Sequence, residues 1–322
     1  MRPAASARAA LLAAAVLAAA PAAARPPAAT PPPARLAQVE DGVRRTRVLG
    51  RSPDAAAALT FDLLLERHLR YQLGGLDRLP AAATEDPVRP GVYFTITTAE
   101  VALFERPVLR LERGLLRGAM VTGCLPAGQD PAASRPVRCA PAVRPLAVRA
   151  LREEAGRLRG RGLTAAPTVL LITDRDAAFA AVLHVAYAAA LGTTGAPPEL
   201  GLVVRTRRGP GLVPVHLVPP RPVRIAAGAL PLLATVHVAA GGGLTLQAGG
   251  RGPRAAADLA ALEALAAELK GREPDRTVVF VTADPRARMA EVVAAVGRLR
   301  PFFPHVVLGA APPALARRGA SD

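Results

Sequence analysis

The sequence predicts an α+β fold: two tandem small modules, each a β-hairpin followed by helix–strand–helix–strand, with the helices on one face of a mixed sheet. Three observations carry this. Residues 277–308 read as strand, helix, strand. A similar run recurs at 168–204. A glycine-turned hairpin, 235–246, precedes the later copy.

In the later copy, Thr277-Val278-Val279-Phe280-Val281-Thr282 is short, apolar and β-branched, as a strand buried on both faces should be. Asp284 is expected to accept a backbone N–H at a helix start, with Pro285 at the first helical position. Met289, Val292, Val293, Val296 and Arg300 follow at helical spacing, and Val306-Val307-Leu308 closes the unit. A strand, helix and strand of this length join two parallel strands by a crossover.

The earlier copy matches Thr168-Val169-Leu170-Leu171-Ile172-Thr173 to that strand at an offset of 109. Asp174, the second expected helix-start carboxylate, then matches Asp284 at an offset of 110, so one residue is gained in the loop. Phe179, Val182, Leu183 and Ala186 fall on the later helix's apolar stripe, and Leu202-Val203-Val204 supplies the closing strand.

With 322 residues the chain has room for about two domains. It is 51% hydrophobic, 3% aromatic and without tryptophan, and Lys270 is its only lysine. Alanine, arginine and proline dominate, a bias that reflects GC-rich coding more than function. The net charge of +16 favours anionic lipid or cell-wall polymer through its summed field. No aromatic platform interleaves with the arginines, which argues against nucleic acid.

Arg2 and Arg8 precede an apolar run, Ala9 to Ala20, broken by Pro21 and followed by the small residues Ala22-Ala23-Ala24. Residues 1–24 therefore read as a secretory signal peptide, or as an uncleaved anchor, the run being short of the ~20 apolar residues a spanning helix needs. Either places the body of the chain in the periplasm, free or anchored to the inner membrane. Residues 25–53 read as a Pro-rich linker. Residues 54–87 form a helical lead-in, with Leu59, Phe61, Leu63, Leu65 and Leu69 on one face from Asp54 to Leu73.

The first module spans 88–208. Val92 to Thr97 is a strand, and 101–104 and 108–111 are candidate partners. Cys124 and Cys139, the only cysteines, flank a Pro/Gly-rich insertion, and in an exported chain they are expected to form a disulfide. No histidine or further cysteine lies at zinc-ligand spacing. A helix is expected from Pro145 to Arg161, with Val148, Leu151, Ala155 and Leu158 buried and Glu153 and Glu154 solvated. His184 is expected at the edge of an apolar stripe.

Residues 209–220 read as a Pro-rich linker, 221–312 as the second module and 313–322 as a tail. In the second module, Thr235 to Val238 and Leu244 to Leu246 flank Gly241-Gly242-Gly243, where positive φ is required. His237 is expected on the solvent face or against a partner. A helix is expected from Ala255 to Lys270, with Leu259, Leu262, Leu265 and Leu269 on one stripe.

The order of these elements resembles the periplasmic domain of the ExbD/TolR family, which serves energy-transducing inner-membrane complexes. Val236-His237-Val238, the glycine turn, Leu244-Thr245-Leu246, the leucine helix and the Thr-Val-Val-Phe-Val strand carry the likeness. Asp174-Arg175-Asp176-Ala177-Ala178-Phe179 is similar to that family's Asp-Arg-Asp-Val-Pro-Tyr stretch. The resemblance covers the second module whole and the first with an insertion around the cysteines, but not residues 25–85. It implies self-association and contact through an exposed sheet edge with cell wall or partner segments. The partners it implies are an inner-membrane motor or TonB-like envelope proteins, peptidoglycan or anionic lipid, and further copies of the chain. The family's proton-exchanging aspartate has no counterpart, since Ala9 to Ala24 contains no Asp or Glu.

No His-Glu-x-x-His, Gly-x-Ser-x-Gly or Walker sequence is present, and the histidines (His68, His184, His216, His237, His305) are scattered. The reading is therefore of a non-enzymatic protein without a cofactor, metal or catalytic residue. The alternatives are a free-standing binder of an anionic envelope polymer and an enzyme of unrecognised type.

Overall fold

A computed structural model describes residues 63–84, 86–125, 136–160, 167–191, 198–217, 234–248 and 252–310. The expected signal or anchor, the linker 25–53, the start of the lead-in and the tail lie outside these.

The first half runs β1 (Val92–Ile96), β2 (Glu100–Leu103), β3 (Arg106–Arg110), a two-strand ribbon of β4 (Thr122–Cys124) and β5 (Val137–Cys139), then α1 (Val143–Gly160), β6 (Thr168–Thr173), α2 (Phe179–Ala190) and β7 (Glu199–Thr206). After β8 (Gly209–Leu217), the second half runs β9 (Ala234–Val238), β10 (Leu244–Gln247), β11 (Arg254–Ala256), α3 (Leu259–Arg272), β12 (Val278–Ala283), α4 (Met289–Leu299) and β13 (His305–Ala310). The main sheet is mixed and has 11 strands, ordered β11-β10-β9-β12-β13-β8-β7-β6-β1-β2-β3. The fold is thus α+β. The strand order β3-β2-β1-β6-β7 of the first half recurs as β11-β10-β9-β12-β13 in the second.

Strand register corrects the offset between the halves. Val169 pairs with Val92 and Leu200, and Val279 pairs with Ala234 and Val306. The match is therefore 110 along the whole strand, with Thr173 on Ala283, and no residue is gained in the loop. An offset of 109 would have exchanged the two faces, because side chains alternate along a strand.

The stretch 209–220, expected as a linker, contains β8. That strand lies between β7 and β13 and joins the half-sheets into one. It pairs with β7 from Gly209 to Val215 but with β13 only at His216 and Leu217. Pro210 and Pro214 precede those two residues, so neither removes a rung from the junction.

Residues 254–256, expected to begin a helix, are strand β11. The helix starts at Leu259, where Asp258 accepts the Ala261 N–H at 2.7 Å. Helix α1 is also rotated from expectation. It buries Val143, Ala147, Ala150, Leu151 and Glu154, while Val148, Ala155 and Leu158 are half-exposed. Glu154 is 7% exposed and paired with Arg157 at 2.5 Å, so it is not the solvated residue it was expected to be.

Helices α1 to α4 pack on one face of the sheet in a core common to both halves. Helix α2 is apolar on nearly all sides, which suits an interior position. It touches α1, β5, β6 and β13, and so spans the two halves. On the other face, Leu65, Leu69 and Leu73 of the helical segment 63–73 cover Leu170, Ile172, Val203 and Leu212. Strand β6 is buried throughout because both its faces are covered. A strap follows this segment: Ala82 N–H donates to Arg205 O, Arg205 N–H to Pro80 O, and the Arg300 guanidinium to Asp86 and Thr84. It ties β7 to the C-terminal end of α4. Gly241 and Gly242 adopt φ of 96° and 90° in the β9–β10 turn, as expected, whereas Gly243 does not adopt the positive φ expected of it.

Cys124 and Cys139 lie at disulfide distance across the β4–β5 ribbon, with Cα atoms 5.8 Å apart. Non-reducing peptide mapping is expected to recover them as one cross-linked pair. Reduction should lower stability by about 3 kcal/mol. Two free thiols in the purified protein would contradict this.

Candidate functional site

The strongest candidate is where the two halves meet, at the loops leaving β6 and β12. Each loop begins with an aspartate in the same backbone setting. Asp174 N–H donates to Ile96 O at 2.8 Å and Asp284 N–H to Val238 O at 2.9 Å. Each carbonyl then closes a turn, on Ala177 N–H at 2.9 Å and on Ala287 N–H at 3.0 Å.

The loops pair reciprocally. Phe179 N–H donates to Ala287 O and Met289 N–H to Ala177 O, both at 2.9 Å. Ala180 N–H donates to Pro285 O at 3.2 Å and Ala290 N–H to Arg175 O at 2.8 Å, and an antiparallel bridge joins Ala178 to Arg288. The first amides of an α-helix have no partner within the helix. Here each half supplies carbonyls to the first turn of the other half's helix.

This explains why neither Asp174 nor Asp284 is a helix cap, contrary to expectation. The residues before α2 and α4 are Ala178 and Arg288. Pro285 lies in the turn and not in the helix. At α4, the Glu291 side chain adds a cap of its own, its Oε2 accepting the Arg288 N–H at 2.9 Å.

The two carboxylates have different work. The Asp174 side chain is 6% exposed; its Oδ2 receives Arg78 Nη2 at 2.6 Å and Nε at 3.2 Å, and its Oδ1 receives Asp176 N–H at 2.9 Å. The hydrogen bond to Asp174, and then its charge, hold the Arg78 guanidinium above its ordinary pKa. Asp176 extends the cluster to Arg78 at 3.4 Å and, across the halves, to Arg288 at 3.9 Å. The Asp284 side chain is 37% exposed; its Oδ2 accepts Ala240 N–H at 2.9 Å and its Oδ1 lies 3.3 Å from His237 Nε2. The other ring nitrogen of His237 is 3.2 Å from Thr282 Oγ1.

Asp284, His237 and Thr282 have the composition of a hydrolytic triad. The geometry reads otherwise. Thr282 is 5% exposed, and its hydroxyl also lies 3.3 Å from Val236 O. Thr282 Oγ1 and Asp284 Oδ1 take up the two ring nitrogens of His237, an arrangement that cross-links β9, β12 and the loop. His237 lies opposite the core-facing Val236 and Val238, and its partner comes from within the chain.

Of the remaining histidines, His68 and His184 lie apart from this site. His68 is buried, with Nε2 2.5 Å from Thr95 Oγ1 and its ring edge-on to Tyr93. Burial lowers its pKa to about 4, against a weaker upward pull from Glu105. His184 is also lowered to about 4, by burial and then by Arg138. The Nδ1 atoms of both have no hydrogen-bond partner among the described residues. Sequence reading missed the loop pairing because its contacts are between backbone groups and leave no mark in residue type.

Asp174→Ala is expected to cost about 2–3 kcal/mol, because it strands three donors at a buried position, and Asp284→Ala about 1 kcal/mol. Urea melts of the two variants check the ranking, and equal or reversed losses would contradict it. Among the described residues no helix is long and apolar enough to cross a membrane, and no cluster of three or more metal-binding side chains occurs. Comparison with known protein families, curated proteins and solved structures finds no match to this chain.

Proposed function

We propose that the chain is a non-enzymatic periplasmic accessory, similar to the periplasmic part of the ExbD/TolR biopolymer transport proteins, that works by contact with an energy-transducing envelope complex or the cell wall. The observation that supports this reading is the reciprocal pairing of the loops at Ala178 and Arg288. Two halves of one strand order exchange backbone hydrogen bonds at this site in both directions, which supports a role in association.

The contact surface falls to faces more than edges. The strands at the two ends of the sheet are β3 and β11. Strand β3 reads Arg106-Pro107-Val108-Leu109-Arg110, and Pro107 together with the charged Arg106 and Arg110 blunts that edge. Strand β11 has only three residues and begins with Arg254. Both features discourage the addition of a further strand.

The test is a pull-down from envelope extracts with the full chain as bait. Recovery of an inner-membrane motor protein or a cell-wall component is expected, and recovery of neither counts against the reading. A second reading, a binder of anionic envelope polymer, is favoured by the outward face of α1, where Arg144, Arg149 and Arg152 line a shallow recess with Pro145, Val148 and Glu153. Its sign is co-sedimentation with peptidoglycan or anionic vesicles that weakens as salt is added; binding indifferent to salt argues against it.

A further inference from the structure

The junction between the half-sheets is narrow, since β8 meets β13 only at His216 with Val307 and at Leu217 with Leu308. His305 lies two residues before Val307 on β13, so it projects from the same face as His216. The two imidazole rings face each other across the junction with centroids 5.7 Å apart and planes tilted by 51°. Both residues are exposed.

We propose that His216 and His305 form a site for a divalent transition metal that clips the two halves together. An imidazole nitrogen binds zinc at about 2.0–2.1 Å, which puts the centroids of two rings on one tetrahedral ion about 5 Å apart. The observed separation of 5.7 Å is close to that value. Partial burial of the His216 ring, and then His305, lower its pKa, and a metal takes the neutral form of imidazole. Imidazole ligands suit zinc, copper and nickel, whereas magnesium and calcium prefer oxygen. No third His, Cys, Asp or Glu among the described residues completes a cluster, so water would fill the remaining positions and the ion would exchange. Because the two ligands come from β8 and β13, the ion binds the joined state and stabilises it.

The test is calorimetric titration of the untagged full chain with zinc and then copper, alongside His216→Gln, His305→Gln and, as a control, His237→Gln. One ion per chain is expected. Metal at 100 times its Kd should raise Tm by on the order of 5 °C. Each junction variant should bind at least tenfold more weakly, and the His237 variant as the unaltered chain does. Absence of binding, binding unchanged in both junction variants, or a Tm unmoved at saturation would overturn the proposal. If the junction variants lose their fold, modification of the unaltered chain with diethyl pyrocarbonate decides: protection of His216 and His305 by metal supports the site, and full modification of both overturns it.

Discussion

Val279→Asp is expected to unfold the chain. Val279 is fully buried between Ala234 and Val306, in the core that both halves share. The substitution removes an apolar side chain and places a carboxylate where nothing pairs with it, at a cost of at least about 5 kcal/mol. Natural domains have about 5–15 kcal/mol in total. The loss should not stay in the second half, because Phe179 and Ala180 donate to carbonyls of that half. The control is Val278→Asp, one residue earlier on the opposite, half-exposed face. It should cost far less. Circular dichroism melts of both variants decide, and equal losses would contradict the assignment of faces.

The second large effect is acid sensitivity. His68 and His184 titrate near 4 in the folded chain because burial disfavours the imidazolium, against an ordinary value of 6.5. Between those values the unfolded chain binds more protons than the folded one, so stability rises with pH across the window and is lost as pH falls from 6.5 towards 4. The loss is about 3 kcal/mol for His68, which is 1% exposed, and about 2 kcal/mol for the less buried His184. Urea midpoints measured from pH 7 to pH 4 should fall accordingly, and His68→Gln should flatten the curve. A midpoint unchanged over that range would contradict the buried, neutral state of both rings.

Much of the fold is legible in the sequence because it is written in side chains. The alternation of Val236, His237 and Val238, the β-branched run at 278–283 and the stripe Met289, Val292, Val293, Val296 each mark the element that forms. The features that escape a reading of the sequence depend on partners far away in the chain. Residues 209–217 carry two prolines and read as a linker; they form a strand because β7 and β13 flank them. Helix α1 is turned about its axis from expectation because its buried stripe includes Glu154, which is paired with Arg157. Asp174 and Asp284 occupy equivalent positions, as their spacing indicates. Their expected capping role fails because the opposite half supplies the carbonyls that the helix amides need.

Hydrogen exchange at four amides, those of Phe179, Ala180, Met289 and Ala290, tests the joining of the halves most directly. If each half caps the other's helix, all four should exchange with one free energy, that of global unfolding. Met289 and Ala290 opening while Phe179 and Ala180 stay protected would contradict it.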